Sequence, residues 1–192
     1  MRSPILRTLA LAAVAGSMLL TACTTTGEKD TAPKPSARAA LDADVNAALN
    51  RLYKVSPDAR EMVAKSAGVL VFPSVVGGSF VVGGEYGRGA LLQHGRIQGY
   101  YSLGAGSLGW QIGAQSKAII YVFNTSDALQ KFLSSDGWVA GVDATVAVAH
   151  LGANGSIDSE TAKQPVVGFV MSNAGLEAGV SLQGAKITKI KL

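Results

Sequence analysis

Cysteine and histidine are scarce in this chain of 192 residues, and their scarcity excludes several kinds of chemistry. Cys23 is the single cysteine, so no disulfide can form within the chain. The two histidines, His94 and His150, are far apart, and neither has a second ligand at the spacing of a helical zinc motif. We therefore predict no metal site, and we expect His94 to lie in a turn and His150 at a strand end.

Long apolar runs are also few, and the one near the N-terminus is short. Leu9–Leu20 is uncharged, but it is too brief to cross ~30 Å of hydrocarbon comfortably as a helix. Two arginines precede it, and Leu20-Thr21-Ala22-Cys23 ends it with an aliphatic residue, two small residues and a cysteine. This order is typical of a bacterial lipoprotein signal. We predict a cleaved signal peptide over residues 1–22 and lipidation of Cys23; the alternative is an ordinary secretory signal with an incidental cysteine.

The residue after the predicted lipidation site and the charge of the remaining chain bear on location and partners. Thr24 is not the aspartate that typically retains lipoproteins in the inner membrane. We therefore expect an outer-membrane anchor with the protein facing the periplasm, cell-surface exposure being the alternative. Loss of Arg2 and Arg7 lowers the basic residues from 17 to 15, against 13 acidic residues. So small an excess of positive charge predicts no nucleic-acid partner.

The rest of the chain divides into a tether and one domain. Residues 23–36 contain no large apolar side chain and predict a flexible tether, followed by a domain over residues 37–192. Ser36 is a plausible cap for a first helix through Leu52, and Ser56 caps a second that starts at Pro57. A third helix is predicted between Asn124 and Ser135, with Ser126 or Asp127 as its cap.

Glycine, with 23 residues, separates short apolar runs in the region that follows the first two helices. The pattern predicts strands at short spacing, with turns at Gly77-Gly78, His94-Gly95 and Gly104 to Gly106. Later strands are predicted over 138–149, 166–171 and 176–192, with a polar loop between Asn154 and Gln164. The predicted fold class is α+β: a strongly curved, barrel-like antiparallel sheet with two N-terminal helices and one inserted helix.

Two motifs suggest enzymes but lack the required context. Gly104-Ala-Gly-Ser-Leu-Gly109 has the glycine spacing of a dinucleotide-binding loop, yet the residues after it predict a strand where that loop needs a helix. Ser107 sits in a sequence similar to a nucleophile elbow, and His150 after an aspartate would complete the chain order of a triad. The candidate aspartates are Asp127, Asp136 and Asp143. The elbow also needs a helix after the serine, so we predict no catalytic residues.

Charged residues within the predicted strands have two interpretations each. Glu85 and Glu177 would each need a partner if buried, and neither needs explanation on an outer face. The C-terminal strand alternates lysines with apolar residues. Those lysines either face anionic head groups or protect an edge strand from aggregation, and the second interpretation is favoured.

Several segments together resemble the SYLF domain, a lipid-binding domain of bacterial lipoproteins and of eukaryotic membrane-trafficking and actin-patch proteins. They are Gly68-Val-Leu-Val-Phe-Pro73, Tyr101 to Gln115, Asn173 to Gly184, the helix ending at Phe132 and the strand around Gly141. The resemblance covers nearly all of residues 38–192. It implies a non-enzymatic domain without a cofactor that binds membrane lipids, phosphoinositides in the eukaryotic members. Glu177 stands where many relatives carry an aromatic residue.

We therefore expect a lipid-anchored envelope protein whose SYLF-like domain binds anionic or phosphoinositide-like head groups without catalysis. The predicted contacts are the basic residues Arg88, Arg96, Lys117, Lys186, Lys189 and Lys191. The alternative is a structural or protein-interaction module of the envelope with no lipid ligand beyond its anchor.

Overall fold

The computed structural model of the protein describes residues 36–78, 82–108, 115–150, 156–172, 175–177 and 180–192. The predicted signal peptide, Cys23 and the predicted tether up to residue 35 lie outside the described residues. The chain divides into two units, Met1–Lys34 and Pro35–Leu192. All the described helices and strands lie in the second unit.

Both predicted N-terminal helices form, and serine caps begin them. Helix α1 spans Ala37–Val55, and the Ser36 hydroxyl accepts a hydrogen bond from the Ala39 N–H at 3.2 Å. Helix α2 spans Pro57–Lys65, and the Ser56 hydroxyl accepts from the Ala59 N–H at 3.2 Å. Proline suits the first position of α2, because its missing N–H would have no partner within the helix there.

The remaining elements build one sheet and two further helices. In chain order they are β1 (Gly68–Gly78), β2 (Val82–Gln93), β3 (Arg96–Leu108), β4 (Gln115–Phe123), α3 (Ser126–Ser134), β5 (Trp138–Val139), β6 (Ala147–Val148), α4 (Ser159–Ala162), β7 (Val166–Ser172), β8 (Gly175–Leu176) and β9 (Lys186–Ile190). The strand order is β5-β9-β3-β2-β1-β4-β7-β6, and β8 pairs with β7. The sheet curls strongly into a half-barrel, which confirms the predicted α+β fold with a curved sheet. It is mixed and not purely antiparallel, because β6 runs parallel to β7.

Two predicted turns are wrong because their glycines have strand partners. Gly77 lies in β1 opposite Glu85, and Gly104 lies in β3 between Tyr86 of β2 and Lys186 of β9. Hydrogen bonding on both sides keeps these glycines extended. The predicted turn at His94-Gly95 is confirmed: φ is +48° at His94 and +75° at Gly95, as a two-residue hairpin of type I′ requires.

Three other predicted boundaries change. Thr125, and not Ser126 or Asp127, caps α3, since its hydroxyl accepts from the Ala128 N–H at 3.2 Å. The strand predicted over 138–149 is two short strands, β5 and β6, because the Asp143 carboxylate accepts from the Val139 N–H and turns the chain. The strand predicted over 176–192 is likewise two strands, β8 and β9, and the predicted polar loop contains α4.

Alternate residues of the central strands belong to two separate hydrophobic cores. The outer core joins Val45, Leu49 and Leu52 of α1 to one face of β1, β2, β4 and β7. The inner core joins the opposite face of those strands to β3, β9, α3 and Trp138. Because its members come from strands across the curled sheet, the inner core fills the inside of the half-barrel. Successive side chains of a strand point to opposite faces, so both cores are built from the same strands.

An irregularity at Pro73 adjusts this alternation in β1. The register shifts between Val71 and Ser74 against β2, and between Phe72 and Val75 against β4. Proline has no N–H to give to a ladder, so it is tolerated at such a bulge. The extra residue leaves both Phe72 and Val75 on the inner face. The bulge therefore determines which residues of β1 after Pro73 face the inner core and which face outward.

Aromatic rings occupy the centre of the inner core. Trp138 is buried with its ring centroid 5.9 Å from that of Tyr121, 6.2 Å from Phe123 and 5.7 Å from Phe132, all in edge-on geometry. Phe132 comes from α3, so this helix packs onto the inner face from the side opposite to α1.

Gly89→Ala should destabilise the domain strongly, while Gly104→Ala should not. A Cβ atom at Gly89 would overlap the carbonyl oxygen of Val71 and lie 2.6 Å from a ring carbon of Phe72. A Cβ atom at Gly104 would meet nothing within 4 Å, although this residue also lies in a strand. We expect a loss of about 1–3 kcal/mol or more for the first change, from overpacking. Urea unfolding of both variants measures it, and equal stability of the two would contradict the packing described.

Candidate functional site

A charged pair lies on the inner face of the sheet, beyond the aromatic cluster. Glu85 of β2 and Lys117 of β4 reach each other across β1, where Gly77 is paired with Glu85 and Val75 with Lys117. The Lys117 ammonium donates to the Glu85 carboxylate with an Nζ–Oε1 distance of 2.8 Å. Gly77 leaves room for this crossing, because a Cβ atom there would lie 3.0 Å from Glu85 Cγ. Both charged side chains are largely buried, with exposed fractions of 17% for Lys117 and 21% for Glu85.

A pocket of about 270 Å³ opens beside this pair. Its walls combine apolar side chains of β3, β4 and the segment before β9 with polar groups of the charged pair and that segment. The lining residues are Glu85, Leu103, Ala105, Gly106, Lys117, Ile119, Ser181, Leu182, Gln183 and Ala185. Polar and apolar groups contribute about equally to this pocket, so it could accommodate a ligand that has both charged and apolar parts.

Two buried polar atoms on the inner face have no hydrogen-bond partner among the described residues. They are the Tyr121 hydroxyl and the Trp138 indole nitrogen. Burial, and secondarily the negative charge of Glu85, raise the pKa of Tyr121 far above its ordinary value. The hydroxyl therefore stays protonated and is a neutral donor that lies within the electrostatic reach of Glu85. Such unpaired buried groups cost stability and are rare, so each calls for an explanation.

The predicted head-group contacts do not converge on this pocket. Lys117 lines it, whereas Arg88 is exposed on the outer face of β2, since it alternates with the inner residues Glu85 and Leu91. Arg96 is exposed at the start of β3, directly after the hairpin turn. The structure thus places these three bases at three separate positions.

The C-terminal lysines lie at the edge of the sheet. Lys186 and Lys189 are exposed on opposite faces of β9, because buried Ile187 shares the face of Lys189 and not that of Lys186. Lys191 is exposed just after the strand. Strand β5 pairs with β9 only at Ile187 and Lys186, so the rest of β9 is an edge. This position agrees with the interpretation that lysines protect the edge.

Ser107, in the elbow-like motif, does not lie at the kind of turn that a nucleophile elbow requires. Ser107 lies within β3, paired with Gly83 of β2, so the strand-to-helix turn of a nucleophile elbow does not form there. Gly109 lies outside the described residues. His94 and His150 are both exposed, as expected of ordinary polar residues. In the part of the chain that the structure describes, no three His, Cys, Asp or Glu side chains come together as metal ligands would.

A second pocket, of about 280 Å³, lies between the N-terminal helices and the β2–β3 hairpin. Its polar side chains are Tyr53, Arg60, Ser66 and His94, and the Arg60 guanidinium stacks 5.2 Å from the centre of the Tyr53 ring. The positive charge of Arg60 thus already interacts with the face of the Tyr53 ring. We find no paired opposite charges there, in contrast to the pocket on the inner face.

Sequence comparisons identify the family of the domain. The profile of the Ysc84 family, described as "Las17-binding protein actin regulator", matches residues 104–191. This region is a SYLF domain. The predicted SYLF resemblance is therefore confirmed. The matched range includes every lining residue of the inner pocket except Glu85 and Leu103.

Three curated relatives, each named SH3 domain-containing YSC84-like protein 1, are similar over 135 residues, or 68% of this chain. The protein from Xenopus laevis is 29% identical over that length, and those from Rattus norvegicus and Homo sapiens are 28% identical. The match covers about 40% of the length of each relative.

Within the described ranges, no helix has the length and apolarity needed to span a bilayer.

Tyr121→Phe should leave stability unchanged or raise it, whereas Tyr100→Phe should lower it. The Tyr121 hydroxyl has no partner among the described residues, so its removal relieves a desolvation cost of about 1–3 kcal/mol. The Tyr100 hydroxyl donates to the Asp42 carboxylate at 2.9 Å, and its loss should cost about 0.5–1.5 kcal/mol. Thermal unfolding of the two variants tests this, and a larger loss for Tyr121→Phe than for Tyr100→Phe would be the opposite result.

Proposed function

We propose that this protein is a lipid-anchored protein of the bacterial envelope whose SYLF domain binds phospholipids without catalysis. The anchor is an acylated Cys23, and the domain faces the periplasm from the outer membrane. The observation that carries the lipid-binding proposal is the inner pocket, in which Leu103, Ile119 and Leu182 surround a buried pair of opposite charges. Apolar walls suit methylenes, and the charged pair suits an ionic head group.

A patch on the outer face supports contact with a membrane surface at the same end of the sheet. We define the outer patch as Val76, Tyr86 and Arg88. Val76 is paired with Tyr86, and their exposed fractions are 50% and 57%. Arg88 lies two residues beyond Tyr86 on the same face of β2 and is also exposed. Tyrosine and arginine beside an apolar side chain are typical of the bilayer interface, where apolar and polar surroundings meet.

The outer patch and the inner pocket are close along the strands. Glu85, which lines the pocket, lies next to Tyr86 of the patch, and alternation directs the two side chains to opposite faces. A membrane that meets this end of the sheet would therefore contact the patch and the mouth of the pocket together. The exposed Lys186, which is aligned with Tyr86 through Gly104, would add attraction to anionic lipids, by ~1 kcal/mol near the surface. Arg96 lies at the other end of β2 and β3, where it pairs with Gln93, and Lys189 and Lys191 follow along β9 toward that end.

The unit Pro35–Leu192 should bind vesicles containing anionic phospholipids, and the triple change Val76→Ser, Tyr86→Ser and Arg88→Ser should weaken binding about tenfold. The reason is the combined loss of two apolar side chains and one charge at the interface, at roughly 1.4 kcal/mol per factor of ten. Vesicle flotation at low and moderate salt measures this partition.

The matched control replaces two other exposed apolar residues, Leu133→Ser and Val142→Ser. Their exposed fractions are 41% and 78%, and they lie outside the outer patch. This control should bind vesicles like the unchanged unit. If the unchanged unit bound no vesicle at either salt concentration, the proposed function would be refuted. If the triple variant and the control lost vesicle binding equally, the role of the patch would be refuted.

A second candidate function is a protein-interaction module of the envelope. The family description names binding to the protein Las17, and the outer patch is an exposed apolar surface of the kind that protein partners cover. Crosslinking in cells that carry the full chain distinguishes the two functions. Recovery of one dominant protein partner, together with absent vesicle binding, would favour the second.

A further inference from the structure

We propose that the inner pocket selects a zwitterionic phosphoethanolamine group, a phosphate with a primary ammonium two carbons away, over anionic head groups. This inference rests on the proposed function and names the ligand of its pocket. The ligand phosphate would pair with Lys117, and the ligand ammonium would pair with Glu85. The ion pair between Lys117 and Glu85 would thus be replaced by two ion pairs with the ligand.

Charge balance in the pocket favours a zwitterionic ligand. Glu85 and Lys117 neutralise each other at 2.8 Å, and both are largely withdrawn from water. A charge buried without a partner is strongly unfavourable. A purely anionic head group could take Lys117, but it would leave the Glu85 carboxylate unpaired beside a second negative charge. A zwitterion leaves the pocket neutral and both side chains paired.

The hydrogen-bonding capacity of the two side chains favours a primary ammonium. An ionised Glu85 only accepts hydrogen bonds, and Lys117 only donates them. A phosphate supplies acceptors for Lys117, and a primary ammonium supplies three donors for Glu85. The quaternary ammonium of a choline head group carries the same charge but no N–H, so it cannot replace the donor that Glu85 loses. The pocket should therefore distinguish ethanolamine from choline.

The Tyr121 hydroxyl is a further buried donor on the inner face. It is protonated, has no partner among the described residues, and is acted on by the Glu85 charge. Tyr121 follows the pocket-lining Ile119 on the inner face of β4, although it does not itself line the pocket. When Lys117 turns to a phosphate, we expect this hydroxyl to serve as a second donor for the Glu85 carboxylate. A buried donor without a partner calls for an explanation, and this role would supply one.

The volume of the pocket limits how much of a lipid it can hold. At about 270 Å³ the pocket lies just below the range of roughly 300–1,000 Å³ that is usual for whole ligands of drug size. It accommodates a head group and the first methylenes beyond it, but not two acyl chains. Leu103, Ile119 and Leu182 would contact those methylenes, while Ser181 and Gln183 offer hydrogen bonds at the rim.

Calorimetric titration of the unit Pro35–Leu192 with water-soluble ligands tests this selectivity. The ligands are dihexanoyl-phosphatidylethanolamine, its choline and glycerol counterparts, and glycerophosphoethanolamine, which has the same head group without chains. We expect the ethanolamine lipid to bind about tenfold more tightly than the choline and glycerol lipids, because charged hydrogen bonds to Glu85 form only with it. Equal or tighter binding of the glycerol or choline lipid would overturn the proposal.

Glycerophosphoethanolamine distinguishes a lipid from a free metabolite as the source of the group. Weaker binding than the dihexanoyl lipid supports a phospholipid, because the apolar walls then contribute. Equal binding would overturn the phospholipid as the source. If ethanolamine selectivity is absent while vesicle flotation persists, this inference fails and the proposed function stands.

Variants of the ion pair give a second, independent readout. Glu85→Gln keeps an acceptor for Lys117 but removes the negative charge, so it should abolish the preference for ethanolamine and improve binding of the glycerol lipid. Lys117→Gln should weaken all three lipids. The matched control is Glu160→Gln with Lys163→Gln, an ion pair at 2.9 Å whose side chains are 76% and 70% exposed. The assignment would be contradicted if folded Glu85→Gln kept the ethanolamine preference, or if the control lost it. If Glu85→Gln does not fold, the lipid selectivity of the unchanged unit tests the assignment.

Discussion

The curled sheet must bury both of its faces with the alternate side chains of the same strands, and the rest of the structure depends on this constraint. In β1, Val71 belongs to the outer core and Phe72 to the inner core. A shift of one residue in any central strand would exchange the two sets and expose each to the wrong surroundings. The bulge at Pro73 is therefore a fixed feature of the fold, because it brings Val75 back to the inner face.

The two cores also determine where a site can exist. Helices α1 and α3 cover opposite faces of the sheet, and the aromatic cluster around Trp138 fills the inside. Beyond this cluster the strands continue, and their inner positions change from aromatic side chains to Glu85 and Lys117. The charged pair is tolerated there because it is mutually neutralised and partly reached by water. The resulting pocket combines apolar side chains of the strands with the charged pair, and both proposals for lipid binding start from it.

Local sequence signals predicted the local features well. The caps Ser36 and Ser56, the proline at the start of α2 and the two-residue hairpin at His94-Gly95 each depend on a few neighbouring residues. Features that depend on distant partners were missed. Gly104 has the sequence context of a turn, and only its pairing with both β2 and β9 shows that it lies within a strand. The sequence indicated that Glu85 would need a partner if buried and predicted Lys117 as a head-group contact, but their pairing follows from the register of both strands on β1, which the bulge at Pro73 sets.

Hydrogen–deuterium exchange of the unit Pro35–Leu192, with and without vesicles containing phosphatidylethanolamine, tests the central claim most directly. That claim is that phospholipid binds at the inner pocket and membrane contacts this end of the sheet. The account predicts slower exchange in the lining strands around Leu103 to Gly106 and Lys117 to Ile119, and in residues 181–185, with little change in α1 and α2. Protection confined to the two N-terminal helices, or none in the lining strands, would contradict it.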